Sequence, residues 1–174
     1  MRDGQGVDLV AELRGGEKVR TSWAGLAFEE LMANIGLLMV HWSRLEHHLS
    51  DEIIRLRSIS GDLAPSKNRL RATSSERLAE WRALQSRRKR GERAFHAAVE
   101  ELAERIQSLA RLRSLVTLGF VGASGEDEAD PWILCNSNLS SAGPPDARLT
   151  RSDLAAAIAE MEQCERDLTL LGAA

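Results

Sequence analysis

Hydrophobic residues recur every three or four positions in four stretches of the chain, the spacing that places side chains on one face of an α-helix. The first stretch predicts a helix from about Leu26 to Arg57. Gly61 suits the left-handed conformation that often ends a helix, and Pro65 prevents continuation. The apolar face of this predicted helix carries Leu31, Ile35, Leu38, Trp42, Leu45, Leu49 and Leu56.

A second helix is predicted to begin near Ser75, with Ser74 or Ser75 as its N-cap. Its apolar face carries Leu78, Trp81 and Leu84, and it ends in four basic residues at 87–90 followed by a glycine. Cationic side chains in a last turn complement the negative end of the helix dipole, so the basic run has a structural explanation. The alternative is a phosphate-binding patch.

The third predicted helix has the most regular pattern, with alternating spacings of four and three. Six of its seven core-facing positions are apolar, and the exception is Arg113. Gly119 ends the helix, and apolar runs at 120–122 and 132–135 flank an acidic turn, which predicts a short β-hairpin. The seven positions are Phe95, Val99, Leu102, Ile106, Leu109, Arg113 and Val116.

A fourth helix is predicted after the Gly-Pro-Pro segment at 143–145, with Thr150 or Ser152 as its N-cap and Asp153 as the acid of a capping box. Its apolar face carries Leu154, Ala157, Met161, Cys164, Leu168 and Leu171.

Together the four patterns predict a mainly α fold, an antiparallel up-down four-helix bundle with a short β-hairpin between helices 3 and 4. With 174 residues in the chain, residues 26–174 are expected to form a single domain. Residues 1–25 are expected to form an N-terminal arm or a hairpin.

The composition narrows the choice of partners. A formal net charge of −3 gives no general attraction to nucleic acids or anionic membranes. No segment approaches the ~20 apolar residues of a membrane span, and no secretory signal precedes the first helix. Cys135 and Cys164 lack paired spacing, which indicates two buried free thiols in a reducing compartment. We therefore expect a cytoplasmic protein without membrane contact.

Burying an unpaired charge costs several kcal/mol. A buried Arg113 side chain therefore requires an ion-pair partner or a functional role. Glu46 also falls on a core-facing position of the first helix, so we expect the two side chains to meet. The pair would either fix the helix register or remain from a catalytic pocket. In the second case, Ser114 and Thr117 would belong to the same pocket.

Three features resemble HEPN-like bacterial four-helix proteins. They are the segment Trp-Ser-Arg-Leu-Glu at 42–46, the arginine-containing end of the third helix with its following glycine and hairpin, and the segment Leu-Thr-Arg-Ser-Asp-Leu at 149–154. The order of elements is similar over residues 26–172. The resemblance implies descent from ribonucleases, often toxins, that act as dimers and place an Arg-x(4–6)-His motif in a cleft between subunits.

The family motif is incomplete in this chain. Arg113 matches the arginine and Gly119 the glycine, whereas Ser114 stands in place of the usual asparagine and Leu118 in place of the histidine. Leucine cannot donate or accept the proton that general acid–base cleavage of RNA requires. The resemblance therefore implies a degenerate active site with absent or weak enzymatic activity.

His41 and His48 lie seven residues apart and share a helical face beside the core positions. They lack the spacing and additional ligands of a metal site, so no metal and no other cofactor is expected. Together with Trp42 they are predicted to be binding or interface residues, because aromatic side chains are enriched at interface cores.

Two functions remain open. The favoured one is a non-catalytic HEPN-like helical bundle that acts as a protein-interaction or self-association module, as a homodimer or with a protein partner. The alternative is a HEPN-like ribonuclease or RNA-binding module that retains Arg113 as a phosphate clamp, since the guanidinium fork suits a phosphate.

Overall fold

The computed structural model describes residues 9–12, 18–21, 26–61, 73–88, 92–124, 132–137 and 146–173. Over these ranges the protein is mainly helical, as predicted, with four α-helices and five short β-strands. In chain order the elements are β1 (Leu9–Glu12), β2 (Lys18–Thr21), α1 (Leu26–Ile59), α2 (Ser74–Arg88), α3 (Arg93–Leu118), β3 (Phe120–Ser124), β4 (Trp132–Cys135), β5 (Ala147–Thr150) and α4 (Arg151–Ala173).

The helices bury the faces that the apolar spacing predicts. Six of the seven predicted positions of α1 are buried, and Ile35 is half-buried. All six apolar positions of the α3 pattern are buried, and Arg113 is half-buried. Gly61 follows α1 with a φ of 70°, which confirms its predicted left-handed conformation. None of the helices in the described ranges combines the length and apolar character needed to span a bilayer.

Capping boxes begin α2 and α4. At α4 the backbone N–H of Asp153 donates to Thr150 Oγ1 at 3.1 Å, and the backbone N–H of Thr150 donates to the Asp153 carboxylate at 2.8 Å, as predicted. At α2 the cap is Thr73, which exchanges the corresponding bonds with Glu76. The expectation of Ser74 or Ser75 as the α2 cap was therefore wrong.

Strands β3, β4 and β5 form an antiparallel sheet in that order. Trp132 in β4 is opposite Ser124 of β3 on one side and Thr150 of β5 on the other. All four side chains of β4 are buried. Strands β3 and β4 overlap the apolar runs at 120–122 and 132–135, β5 adds a third strand, and the acidic turn at 126–130 lies outside the described residues. Near the N-terminus, β1 and β2 pair antiparallel.

Contacts divide the chain into two compact units. The first comprises residues 1–39 and 112–158, and the second comprises residues 40–111 and 159–174. The core of the first unit includes β4, Leu31, Leu38, Val116 and Leu154. The core of the second unit is formed by apolar residues from all four helices, among them Leu45, Leu49, Ile53, Trp81, Leu102, Ile106, Met161 and Leu168.

Ion pairs join neighbouring helices within the second unit. Each of its four helices is linked to two others, through Arg57–Glu80 (α1 and α2), Arg82–Glu100 (α2 and α3), Arg105 with Glu160 and Asp167 (α3 and α4), and Arg44–Glu165 (α1 and α4). Burial alone lowers the pKa of the Arg105 guanidinium, but its hydrogen bonds to Glu160 and Asp167 raise that pKa overall. Arg105 therefore stays charged and fixes α3 against α4.

Candidate functional site

Glu46 lies half-buried on α1, where α2 supplies its partners. Its Oε1 atom accepts a hydrogen bond from Arg77 Nη2 at 2.8 Å and another from the Ser74 hydroxyl. Glu46 is thus paired with Arg77, and the expected ion pair with Arg113 does not occur among the described residues. The carboxylate therefore takes part in a structural ion pair between α1 and α2.

A small pocket in the second unit lies beside Glu46. Its volume is about 160 Å³, and its lining is mostly apolar, with Trp42 and residues of α2 and α3. Pockets that hold small-molecule ligands usually measure roughly 300–1,000 Å³, so this one is small for such a ligand. Trp42 itself is buried, with 5% of its surface exposed. In this chain Trp42 therefore contributes to the core of the second unit.

The end of α3 carries the other residues predicted from the family motif. Arg113 is half-buried, its Nε atom has no hydrogen-bond partner, and within the described part of the chain its guanidinium makes no ion pair. The Thr117 hydroxyl donates to the Arg113 carbonyl at 2.9 Å, a local bond within the helix. Ser114 is half-buried, and Leu118 is 69% exposed. This helix end offers a cation but no group that titrates near neutral pH.

Both predicted histidines of α1 face α4. His41 Nδ1 lies 3.8 Å from Glu162 Oε1, too far for a good hydrogen bond. His48 lines a polar groove of about 350 Å³ together with Arg44, Glu162, Glu165, Arg166 and Thr169. Positive and negative groups are mixed along this groove, so it has no preference for one ligand charge. Among the residues with described positions, no cluster of His, Cys, Asp and Glu suits a metal ion.

The two thiols are unsuited to nucleophilic chemistry. Cys135 and Cys164 are free and buried, as predicted. Burial raises the pKa of the Cys164 thiol to about 12 and that of the Cys135 thiol to about 11. The thiolate is the reactive form of cysteine, and neither side chain is a thiolate at neutral pH.

The outward face of α1 carries a line of exposed apolar and small residues, here named the α1 stripe: Met32, Ala33, Gly36, Leu37 and Val40. Leu37 is 49% exposed and Val40 is 55% exposed. Among the described residues, a Cβ atom added at Gly36 would meet nothing within 4 Å apart from its chain neighbours and the backbone of its own helix. The stripe lies on the side of the helix opposite the buried Leu38 and Trp42.

Sequence reasoning missed the stripe, although a signal was present. Residues 31–40, Leu-Met-Ala-Asn-Ile-Gly-Leu-Leu-Met-Val, contain no charged residue, so both faces of α1 are uncharged there. An amphipathic helix at a solvent-facing position normally carries charges on its outer face. The continuous apolar run therefore marked a helix with two apolar faces, of which only one could enter the core.

Comparison of the chain with models of known protein families, with curated proteins and with solved structures gave no match. The resemblance to HEPN-like proteins rests on the short motifs in the sequence.

Proposed function

We propose that this protein is a non-catalytic, HEPN-like helical module that self-associates through the α1 stripe. The observation that carries the proposal is the exposure of large apolar side chains along an uncharged stretch of one helix. Water contact with apolar surface costs about 25 cal/mol per Å², and contiguous exposed apolar patches mark interaction sites. A second protein surface against the stripe would remove this cost.

The proposed architecture is an antiparallel up-down four-helix bundle. It is supported by the ion pairs of the second unit, which connect α1 to α2, α2 to α3, α3 to α4 and α4 to α1. A bundle with this cyclic order of neighbours leaves each helix with one face toward the core and one toward solvent. The availability of the α1 stripe to a partner is supported separately by the exposure of Met32, Leu37 and Val40.

The absence of catalysis is supported by the chemistry of the residues. Leu118 occupies the position at which the family motif has its proton-carrying histidine, and Glu46 is paired with Arg77. Both thiols are protonated at neutral pH because burial raises their pKa values. An interaction role requires none of these groups.

The first prediction concerns Leu37. Leu37→Glu places a carboxylate in the middle of the stripe, where burial at an interface would cost several kcal/mol. We expect light scattering to give the mass of a dimer for the wild-type protein as its concentration rises from about 1 to 100 µM, the range for a small interface. The Leu37→Glu variant should remain a monomer throughout.

The matched control is Leu170→Glu, since Leu170 is also exposed, at 67%, but belongs to α4 and not to the stripe. This variant should associate like the wild-type protein, and circular dichroism should show unchanged helix content in both variants. A wild-type protein that stays monomeric over the whole concentration range would disprove self-association.

A second candidate function, RNA binding through Arg113, is supported by one observation. The Nε atom of Arg113 is buried without a hydrogen-bond partner among the described residues, and a phosphate could supply one. This candidate predicts that Arg113→Ala weakens binding of a short single-stranded RNA about tenfold, the effect of one charge-assisted contact of roughly 1.4 kcal/mol.

Fluorescently labelled RNA and anisotropy would measure this affinity, with Arg111→Ala as the control. Arg111 is an exposed arginine two positions away on the same helix. Equal affinities of the two variants would exclude a specific role for Arg113, and any cleavage of the RNA by the wild-type protein would contradict the non-catalytic proposal.

A further inference from the structure

Six residues on the outward face of α1 are arranged symmetrically about the midpoint between Gly36 and Leu37. Ala33 and Val40 lie at equal distances on the two sides of this midpoint, and so do the charged residues that border the stripe, Glu29 and Arg44. Met32 is the exception in the stripe, because its symmetric position is the half-buried His41. The six symmetric residues all lie within about 100° of the helix circumference. With a rise of 1.5 Å per residue, Glu29 and Arg44 are about 22 Å apart along the helix.

We propose that two copies of the chain pair through their α1 helices, antiparallel, about a two-fold axis at the midpoint between Gly36 and Leu37. The inference rests on the proposed self-association and adds its partner and register. Each position then faces the position equally far from the axis in the other copy. Gly36 faces Leu37, Ala33 faces Val40, and Glu29 faces Arg44.

The side-chain sizes fit this register. Each larger residue faces a smaller one, because Leu37 lies over Gly36 and Val40 lies over Ala33. The space above Gly36 is open, since among the described residues only its chain neighbours and the backbone of its own helix lie within 4 Å of a Cβ placed there. Small residues opposite larger ones let two helices approach to the short end of the usual 8–10 Å separation. The same surface serves both copies, which is the requirement of an isologous two-fold interface.

The charges select the antiparallel direction. Glu29 is exposed and, over the described ranges, makes no ion pair. The Arg44 side chain is 56% exposed and uses Nη2 to bind Glu165, so other N–H groups of its guanidinium stay available. A parallel, in-register pair would place Glu29 against Glu29 and Arg44 against Arg44. Like charges across an interface disfavour that arrangement, whereas opposite charges favour the antiparallel one.

The strength of the pairing is limited by its area. The stripe with its bordering charges covers about four helical turns, less than the ≈800 Å² per partner of a standard interface. An exposed ion pair adds at most ~1 kcal/mol and is screened by salt. The charges therefore set the direction of the pairing, and the apolar residues supply most of its affinity.

Cysteine cross-linking tests the register. Wild-type protein and three single-cysteine additions, Gly36→Cys, Glu29→Cys and Ser43→Cys, are treated with a short bis-maleimide and resolved by denaturing electrophoresis. Near the axis the two copies of residue 36 lie close together, whereas the two copies of residue 29 are about 22 Å apart along the helices. The native thiols are buried, so the wild-type protein is the background control.

We expect Gly36→Cys to cross-link to itself about tenfold more than Glu29→Cys or Ser43→Cys alone, given these separations. An equal mixture of Glu29→Cys and Ser43→Cys should cross-link, because residue 43 of one copy lies beside residue 29 of the other. Ser43 replaces Arg44 in this test so that the contact with Glu165 is kept.

The other outcomes are distinct. Self-cross-linking of all three variants would indicate a parallel pair and overturn the register while self-association stands. A dimer in light scattering without cross-linking at Gly36→Cys would place the interface elsewhere and overturn pairing through α1. A monomer in light scattering together with no cross-linking would overturn both this inference and the proposed function.

Discussion

Two charged residues on predicted apolar faces, Glu46 and Arg113, differ in how the structure accommodates them. Glu46 is held by Arg77 and Ser74, whereas the Nε atom of Arg113 has no hydrogen-bond partner in the part of the chain that the structure describes. Helical spacing was sufficient to place both residues at the edge of a core. It could not give their partners, because α2 carries several arginines on different faces, and only its rotation about its own axis decides which one meets Glu46.

Because the two thiols are buried, the free energy of unfolding should vary with pH in the alkaline range. In the unfolded chain a thiol ionises near its ordinary pKa of 9.0, whereas Cys164 in the fold ionises near pH 12. Between these values the unfolded chain binds fewer protons than the folded one, so the free energy of unfolding falls as pH rises. Each thiol should remove roughly 2 kcal/mol by pH 11.

Urea unfolding followed by circular dichroism at intervals from pH 8 to pH 11 measures this decline. The chain has no tyrosine and few lysines, so little else titrates in this range. Cys164→Ala should start from lower stability, because a buried group is lost, but should decline about half as steeply, since one of two thiols remains. A urea midpoint that stays constant from pH 9 to pH 11 would show that the thiols are not protected from ionisation.

At the scale of elements, the helices and most of their ends could be predicted because each leaves a local signal. The cap at Thr150 was recognised from the acid three residues later. The cap at Thr73 has the same Thr-x-x-Glu pattern with Glu76, but neighbouring Ser74 and Ser75 competed as candidates. Strand β5 was missed, because its alternation of apolar and polar residues, Ala-Arg-Leu-Thr, is only four residues long and leads directly into α4.

The α4 capping box provides a test of stability at this scale. Thr150→Ala removes the hydroxyl that accepts from the Asp153 N–H at 3.1 Å and donates to its carboxylate at 2.8 Å. We expect a loss of about 1 kcal/mol, the usual effect of deleting a threonine N-cap. Thr117→Ala is the matched control, since that exposed hydroxyl only bonds back within α3 and alanine favours helix.

Urea unfolding of the two variants at neutral pH would measure both effects. The control should change by less than about 0.5 kcal/mol or gain slightly. If Thr150→Ala were as stable as Thr117→Ala, the capping box would not contribute to the start of α4.

For the whole molecule, the sequence indicated a mainly helical protein with a small β element, but not the division into two compact units. Helices α1, α3 and α4 each contribute residues to both units, and each helix continues through the boundary. No Pro-rich or Gly-rich linker marks the boundaries near residues 39, 112 and 158. Domain boundaries are usually recognised by a change in composition at a linker. A boundary inside a continuous helix produces no such change.

The exposed apolar face of α1 was hard to predict for a related reason. Burial patterns identify the face of a helix that enters the core, and they placed Trp42 and Leu38 there correctly. They give no information about an outward face that is also apolar. Over residues 31–40, the absence of charge is compatible with complete burial or with a second contact surface. The exposure of Leu37 and Val40 excludes complete burial.

The distribution of buried indole rings gives the protein built-in optical reporters. Trp132 lies in the core of the first unit, and Trp42 and Trp81 lie in the core of the second. Because the chain has no tyrosine, its ultraviolet emission comes almost entirely from tryptophan. Entry of water into either core shifts that emission to longer wavelength, so fluorescence follows both units without an added label.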